Sequence, residues 1–361
     1  MAVTAFQVEV LRVITKNRVA NGETYVAGGL ALNHLLHRPR ISNDIDVFNN
    51  SYEAMTAAAD MDRAALAAAG YGVEVKRERD FIVEVTVSRG TYGVRLTVDK
   101  ELAPYVEVYV RSKVLYVSYD EKAVPKELRK LYRGKGSLTP VFRVVAYTPE
   151  LQAVTLSDNA TLTGVEEFVA GDFELTAAGK SQVKNLSVAA TSARISLKKS
   201  AIANLNLKTD RGVEVNTDNS SNLKLTFTGR ELALTSDGSS VVVADGPTRS
   251  LNLSTGGSSQ VSITSNTEKV EVTAEGSSKL TLTGKAYEME VKGSRSSVVD
   301  AFAMPLEEVE ANLSNSSSVT VSVSKKVSVN LVGGSSLYYS GSPEFKIEKI
   351  VKSTLAPYGT K

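Results

Sequence analysis

Cysteine and tryptophan are both missing from this chain of 361 residues, and histidine occurs only twice. Without cysteine there is no disulfide, no thiolate metal site and no cysteine nucleophile. His34 and His37 confine histidine chemistry to one short stretch, where helix-face positions are their simplest reading. No apolar run approaches the roughly 18 residues that a membrane-spanning helix needs. A dominant charge is missing too. Lys and Arg number 42 against 40 Asp and Glu, for a formal net charge of +2, so no bulk field points to nucleic acid or to an anionic membrane. The stretch Met1 to Arg18 is charged and amphipathic and lacks the apolar core of a signal peptide, which on its own points to the cytoplasm.

What the chain does have is length for two cores and a sharp change of composition. Alanine-rich segments such as Tyr52 to Ala69 favour helix, whereas beyond about residue 150 the chain turns to Ser, Thr, Val, Leu, Asn and Gly with hardly any helical pattern. Between them, Val106 to Ser118 alternates as strands do, and Tyr119 to Gly136 reads as a charged, exposed connection around Pro125. This organisation gives a two-domain chain, with a small α+β domain over residues 1–101 and an all-β domain over residues 102–361.

The first domain carries the strongest chemical pattern. Tyr25 to Ala27 reads as an apolar strand, followed by Gly28 and Gly29 and a helical stretch from Leu30 to His37. Asp44 and Asp46 flank Ile45, so on a strand both carboxylates project from one face. Paired carboxylates suit Mg2+, which takes one or two of them together with substrate phosphates. Glycines beside them let backbone N–H groups approach phosphate oxygens. The bland alternative makes Asp44 and Asp46 solvated turn residues.

These motifs, Gly-Gly-x-Ala-Leu, the Arg-x-Ser containing Ser42 and Asp-x-Asp, resemble the polymerase-beta-type nucleotidyltransferases, in particular the AbiEii-like branch. The resemblance covers about residues 5–100. It implies that Gly28, Gly29 and Ser42 hold a nucleoside triphosphate, that Asp44 and Asp46 bind Mg2+, and that Asp99 completes a catalytic cluster. The family's helical acceptor-recognition region does not follow; the chain continues as Lys-Glu-Leu-Ala-Pro and then strands.

The second domain is an internal repeat. Ser221, Ser240, Ser259 and Ser278 each close a Gly/Asn-Ser-Ser tripeptide 19 residues after the last, with looser copies ending at Ser181, Ser200, Ser297, Ser317 and Ser336. Two residues after each tight turn stand Leu223, Val242, Val261 and Leu280; further on come Leu232 and Leu234, Leu251 and Leu253, Val270 and Val272, Met289 and Val291. A repeat so short cannot bury its own apolar face, but stacked copies can, each strand pairing with its equivalent about 4.8 Å away. The expectation is a parallel β-solenoid of about nine coils, a rod on the order of 40–45 Å long. Asn219, Gly238, Gly257 and Gly276 precede the serines, so that turn position is expected at positive φ. An antiparallel sandwich with evenly spaced hairpins is the alternative.

The Gly-Ser-Ser turns, the strands Leu-Asn-Leu-Ser and Leu-Thr-Leu-Thr-Gly, and the stretch Val-Glu-Val-Tyr-Val through Leu-Tyr-Val-Ser-Tyr resemble the bacterial auto-transporter adhesin head (head GIN domain) family, from about residue 103 to the end. That resemblance implies an exported, envelope-associated β-helical protein with an adhesion or carbohydrate ligand. The two halves thus imply different compartments, as a fusion would. Three readings follow. In the first, the chain is bipartite, with a metal-dependent nucleotidyltransferase-like head and an adhesin-like solenoid. In the second it is a non-catalytic structural or binding protein with a degenerate head. In the third, the turn column Asp218, Asp237 and Glu275, interrupted by Gly256, makes it a β-helical carbohydrate-active enzyme, or a calcium site; against this stands the simpler reading of solvated turn residues.

Overall fold

The computed structural model describes residues 10–15, 24–27, 46–49, 59–66, 71–79, 82–89, 93–132, 142–148 and 150–359. The chain divides into two compact units, Met1–Pro149 and Glu150–Lys361.

In the first unit the described strands are β1 (Thr24–Ala27), β2 (Asp46–Asn49), β3 (Tyr71–Arg79), β4 (Ile82–Arg89), β5 (Gly93–Val98), β6 (Val106–Arg111), β7 (Val114–Tyr119) and β8 (Phe142–Tyr147). They form four antiparallel pairs, β1 with β2, β3 with β4, β5 with β8 and β6 with β7. Short helices cover 10–15 (α1), 59–66 (α2) and Lys126–Leu131 (α3). The β6–β7 hairpin realises the alternation of Val106 to Ser118. Ser112 and Lys113 link its strands with φ of 51° and 65°, the mirror-image turn that matches strand twist. The stretch after Tyr119, expected as an open connection, contains α3. Pro125 caps it, and the Nζ of Lys130 donates to Glu127 Oε1 at 3.0 Å. A helix of 6 residues is too short to show a 3.6-residue period, which is why the sequence conceals it. The described elements do not establish a nucleotidyltransferase-like α+β domain.

The second unit is the expected parallel β-solenoid, and every strand pairing in it is parallel. It runs to about 11 coils from residue 153 on, more than the nine expected. The outermost coils escaped the count because their turns lack the Gly-Ser-Ser signature: Asp158 takes the left-handed position at one end and Lys352 at the other. Each regular coil has two strands, such as Glu231–Ser236 and Val241–Asp245, joined by two turns. The registers are those the columns require. Leu232 pairs with Leu251, Leu251 with Val270 and Val270 with Met289 on one side. On the other, Leu223 pairs with Val242, Val242 with Val261 and Val261 with Leu280.

All of these residues are buried in one continuous core. Each apolar side chain removed from water contributes about 1.5–3 kcal/mol, and stacking lets each coil supply both floor and ceiling to its neighbours.

Two of the loose repeat copies are off by one residue. The buried column runs through Ala201 rather than the exposed Ser200, and through Ser335 rather than Ser336. The spacing departs from 19 at these places: the column steps by 20 residues from Ser181 to Ala201 and from Ala201 to Ser221, by 20 from Ser297 to Ser317 and by 18 from Ser317 to Ser335, with register shifts between Val183 and Leu186, Ala190 and Ser192, and Ala301 and Pro305. A strict 19-residue count drifts across each of them. The left-handed turn column is as expected, with φ of 62° at Asn219, 70° at Gly238, 60° at Gly257 and 71° at Gly276. At Gly257 a Cβ would lie 2.6 Å from the carbonyl oxygen of Gly238 in the preceding coil, so glycine is required by space as well as by φ.

Candidate functional site

The residues of the nucleotide pattern are only partly described. Gly28, Gly29, Ser42 and Asp44 lie outside the described residues, as do His34 and His37. Asp46 opens β2, and its backbone pairs with Ala27, the last residue of β1. Asp99 follows β5 directly, where its main-chain carbonyl accepts the N–H groups of Leu102 at 2.9 Å and Ala103 at 3.0 Å. Its carboxylate is hydrogen-bonded to Tyr132; burial first, then the negative charges of Asp99 and Glu101, raise the Tyr132 phenol above its ordinary value. Asp99 thus organises the turn that leads into β6. Among the described residues, no group of three or more acidic, histidine or cysteine side chains could hold a metal ion. The described residues therefore do not assemble the Mg2+ site of the nucleotidyltransferase pattern.

The solenoid offers two columns of exposed side chains at its corners. At the Gly-Ser-Ser corner, Asp218 Oδ1 accepts the N–H of Asn219 at 2.6 Å, and Asp237 Oδ1 accepts that of Gly238 at 2.7 Å. These carboxylates cap their own left-handed turns. Gly256 interrupts the acidic column; a Cβ there would lie 2.9 Å from Asp237 Oδ1, the tip of a side chain that can turn aside. Behind this column the buried serines stitch coils together. Ser259 Oγ donates to Gly256 O at 2.8 Å within its turn and lies 3.1 Å from Ser236 O of the preceding coil. Ser317 reaches Gly293 O at 3.1 Å and Ser335 reaches Leu313 O at 3.2 Å in the same manner. This corner is built for folding, and its acids are engaged with their own backbone.

The opposite corner is a different surface, and nothing in the motif reading singled it out. Stepping from Arg211 by one coil at a time gives Arg230, Arg249, Glu268, Tyr287 and Glu307. Main-chain hydrogen bonds join each to the next: Arg230 to Arg211 at 2.9 Å, Arg249 to Arg230 at 3.0 Å, Glu268 to Arg249 at 2.9 Å, Tyr287 to Glu268 at 3.1 Å and Glu307 to Tyr287 at 2.9 Å. Tyr287 is 61% exposed and sits in a shallow hollow with Glu268, Glu288, Glu307 and Glu308. The signal was present, since Arg211 is followed at the 19-residue period by Arg230 and Arg249. The column then changes to Glu268, Tyr287 and Glu307, so no repeated residue type marks it along its whole length.

Charges elsewhere on the solenoid pair along the rod. Arg194 Nε lies 3.0 Å from Glu214 Oε2, and the hydrogen bond from that guanidinium holds the Glu214 carboxyl below the usual glutamate range. Lys269 Nζ lies 2.7 Å from Glu271 Oε1. Such exposed pairs add little stability.

An interior filled by aliphatic ladders, with polar chemistry confined to corners and outer faces, defines a β-solenoid surface scaffold. The family model described as "Putative auto-transporter adhesin, head GIN domain" matches residues 73–226 and again residues 205–343, and the chain belongs to that family. The first match opens inside β3 and takes in β4, β5 and Asp99, so the strand assigned to a third nucleotidyltransferase carboxylate lies within adhesin-type sequence. Nothing in the comparisons supports the nucleotidyltransferase resemblance. No curated protein matches the chain, and no solved structure does. Among the described residues, no helix is long and apolar enough to cross a membrane.

Proposed function

We propose that this protein is a non-catalytic, adhesin-type binding protein of the bacterial cell envelope or surface, with the β-solenoid as a rigid rod that presents ligand-binding side chains. The observation that carries this reading is the double family match, which runs from residue 73 to residue 343 and so spans most of the solenoid. The physical logic agrees with it. The laddered interior leaves the outer columns free to vary without loss of fold, which is the requirement for a recognition scaffold. A carbohydrate is the ligand class proposed, because the outer faces are paved with hydroxyl and amide side chains such as Asn252, Ser262, Thr264 and Thr281, and polar surfaces of that kind hydrogen-bond polyols.

The test is a glycan array probed with the purified full chain, run beside isothermal titration with ATP and GTP in the presence of Mg2+. Saturable glycan binding with no Mg2+-dependent nucleotide heat is the expected result. Mg2+-dependent nucleotide binding that disappears in Asp46→Asn would overturn the reading and restore a nucleotidyltransferase head.

A further inference from the structure

The corner column from Arg211 to Glu307 has a property that no single coil shows: its two halves are complementary to each other in reverse order. Three arginines occupy three successive coils, and Glu268, Tyr287 and Glu307 occupy the next three, a run of about 24 Å at the strand spacing of a parallel sheet. Stacked like charges are unfavourable, and the chain does little to relieve them. Among the described residues Arg211 and Arg230 form no ion pair. Arg249 lies 3.5 Å from Glu268 with both side chains more than half exposed. Glu307 is engaged by Lys325, again at the surface.

We propose that this corner is a homotypic interface at which two copies of the protein pack antiparallel about a two-fold axis passing between the coils of Arg249 and Glu268. That operation sets Arg249 opposite Glu268, Arg230 opposite Tyr287 and Arg211 opposite Glu307, each contact occurring twice, as an isologous interface demands. Four Arg–carboxylate pairs then form, of the kind that guanidinium geometry favours. Two guanidiniums meet the exposed Tyr287 rings, a cation–π arrangement that also accounts for an aromatic residue among four glutamates.

The column alongside is small, with Gly229, Thr248, Thr267 and Ala286 at the central coils, so two corners can approach closely. One like-charge juxtaposition arises, Glu231 against Glu288, and it flanks the Arg230–Tyr287 contact, where a guanidinium lies between the carboxylates. The occupant is a second copy rather than an unrelated polyanion or polycation because either of those would satisfy only one half of the column and be repelled by the other.

The test is sedimentation velocity on the full chain. The wild type is expected to be a dimer at tens of micromolar in low salt and to dissociate as ionic strength approaches about 1 M, where the Debye length falls to about 3 Å. Arg211→Glu alone and Glu307→Arg alone should each weaken self-association at least about tenfold. An equimolar mixture of the two variants should recover the dimer, because both 211–307 contacts in the mixed pair are again of opposite sign. Residues 211 and 307 stand five coils apart in one chain, so recovery cannot arise within a molecule. A wild type that is monomeric in low salt, a dimer indifferent to both single changes, or a mixture that fails to recover would each overturn the proposal.

Discussion

Ser259 and Ser297 stand in one column of the solenoid, yet the two hydroxyls do different work. Ser259 Oγ has two carbonyl oxygens within hydrogen-bonding distance, whereas Ser297 Oγ is buried without a partner. Ala201 fills the same column at 0% exposure, so the site accepts a methyl group. Ser259→Ala is therefore expected to cost about 1 kcal/mol, the net worth of a hydrogen bond, while Ser297→Ala is expected to be neutral or slightly stabilising because it removes a buried unsatisfied polar atom. Chemical denaturation of both variants checks this, and equal losses would mean that the serines act only by size. Gly257 provides a second residue-scale test. With φ at 60° and the Gly238 oxygen 2.6 Å from a built Cβ, Gly257→Val should destabilise by more than about 1 kcal/mol. Ser258→Ala next to it, at an exposed position, should lose far less. Comparable midpoints for the two variants would contradict the turn geometry.

At the scale of the element, the strands were legible wherever the period was strict. From Ser221 to Ser297 each coil repeats the same columns, and the inward set could be counted from sequence because a parallel stack obliges equivalent residues to lie over one another. Legibility failed at the insertions. The residues between Ala301 and Pro305 push Phe302 outward and keep Met304 buried, which no periodic rule foretells. It failed also at α3, whose six residues carry no period, and at the Arg211–Glu307 corner, whose meaning appears only when coils are stacked. The carboxylates of the Gly-Ser-Ser turns were legible as residues but not as roles: their partners are the next residue's N–H, a local contact that spacing cannot distinguish from a ligand site. The register itself is open to test. Leu253 is 1% exposed and pairs with Leu234 and Val272, so Leu253→Asp buries a carboxylate with no counter-charge and should cost several kcal/mol, while Asn252→Asp on the outer face should be nearly silent. Thermal unfolding separates them, and equal melting points would refute the inward assignment.

At the scale of the whole molecule, the two units bear on function unequally. The solenoid carries most of the family match and supplies both the proposed ligand-bearing faces and the self-complementary corner. For the first unit, the sequence pattern of glycines and aspartates remains a chemical suggestion. Its one member with a described side chain, Asp99, is occupied with Tyr132 and with the turn after β5. The proposed recognition depends on a rod of stacked coils, and the absence of cysteine makes that rod directly measurable, since two engineered cysteines are then the only labelling sites. Asn222, Val298 and Thr354 belong to one outward column, linked coil by coil through Val241, Gln260, Lys279, Ser318 and Ser336. Spin-label distances are to be measured by pulsed electron paramagnetic resonance for the pairs 222/298 and 222/354. Stacked coils require backbone separations of about 19 Å and about 34 Å, growing by about 4.8 Å for each repeat between the labels. Two separations that do not grow with the number of intervening repeats, as hairpins folded into a sandwich would give, would contradict the solenoid and the function built on it.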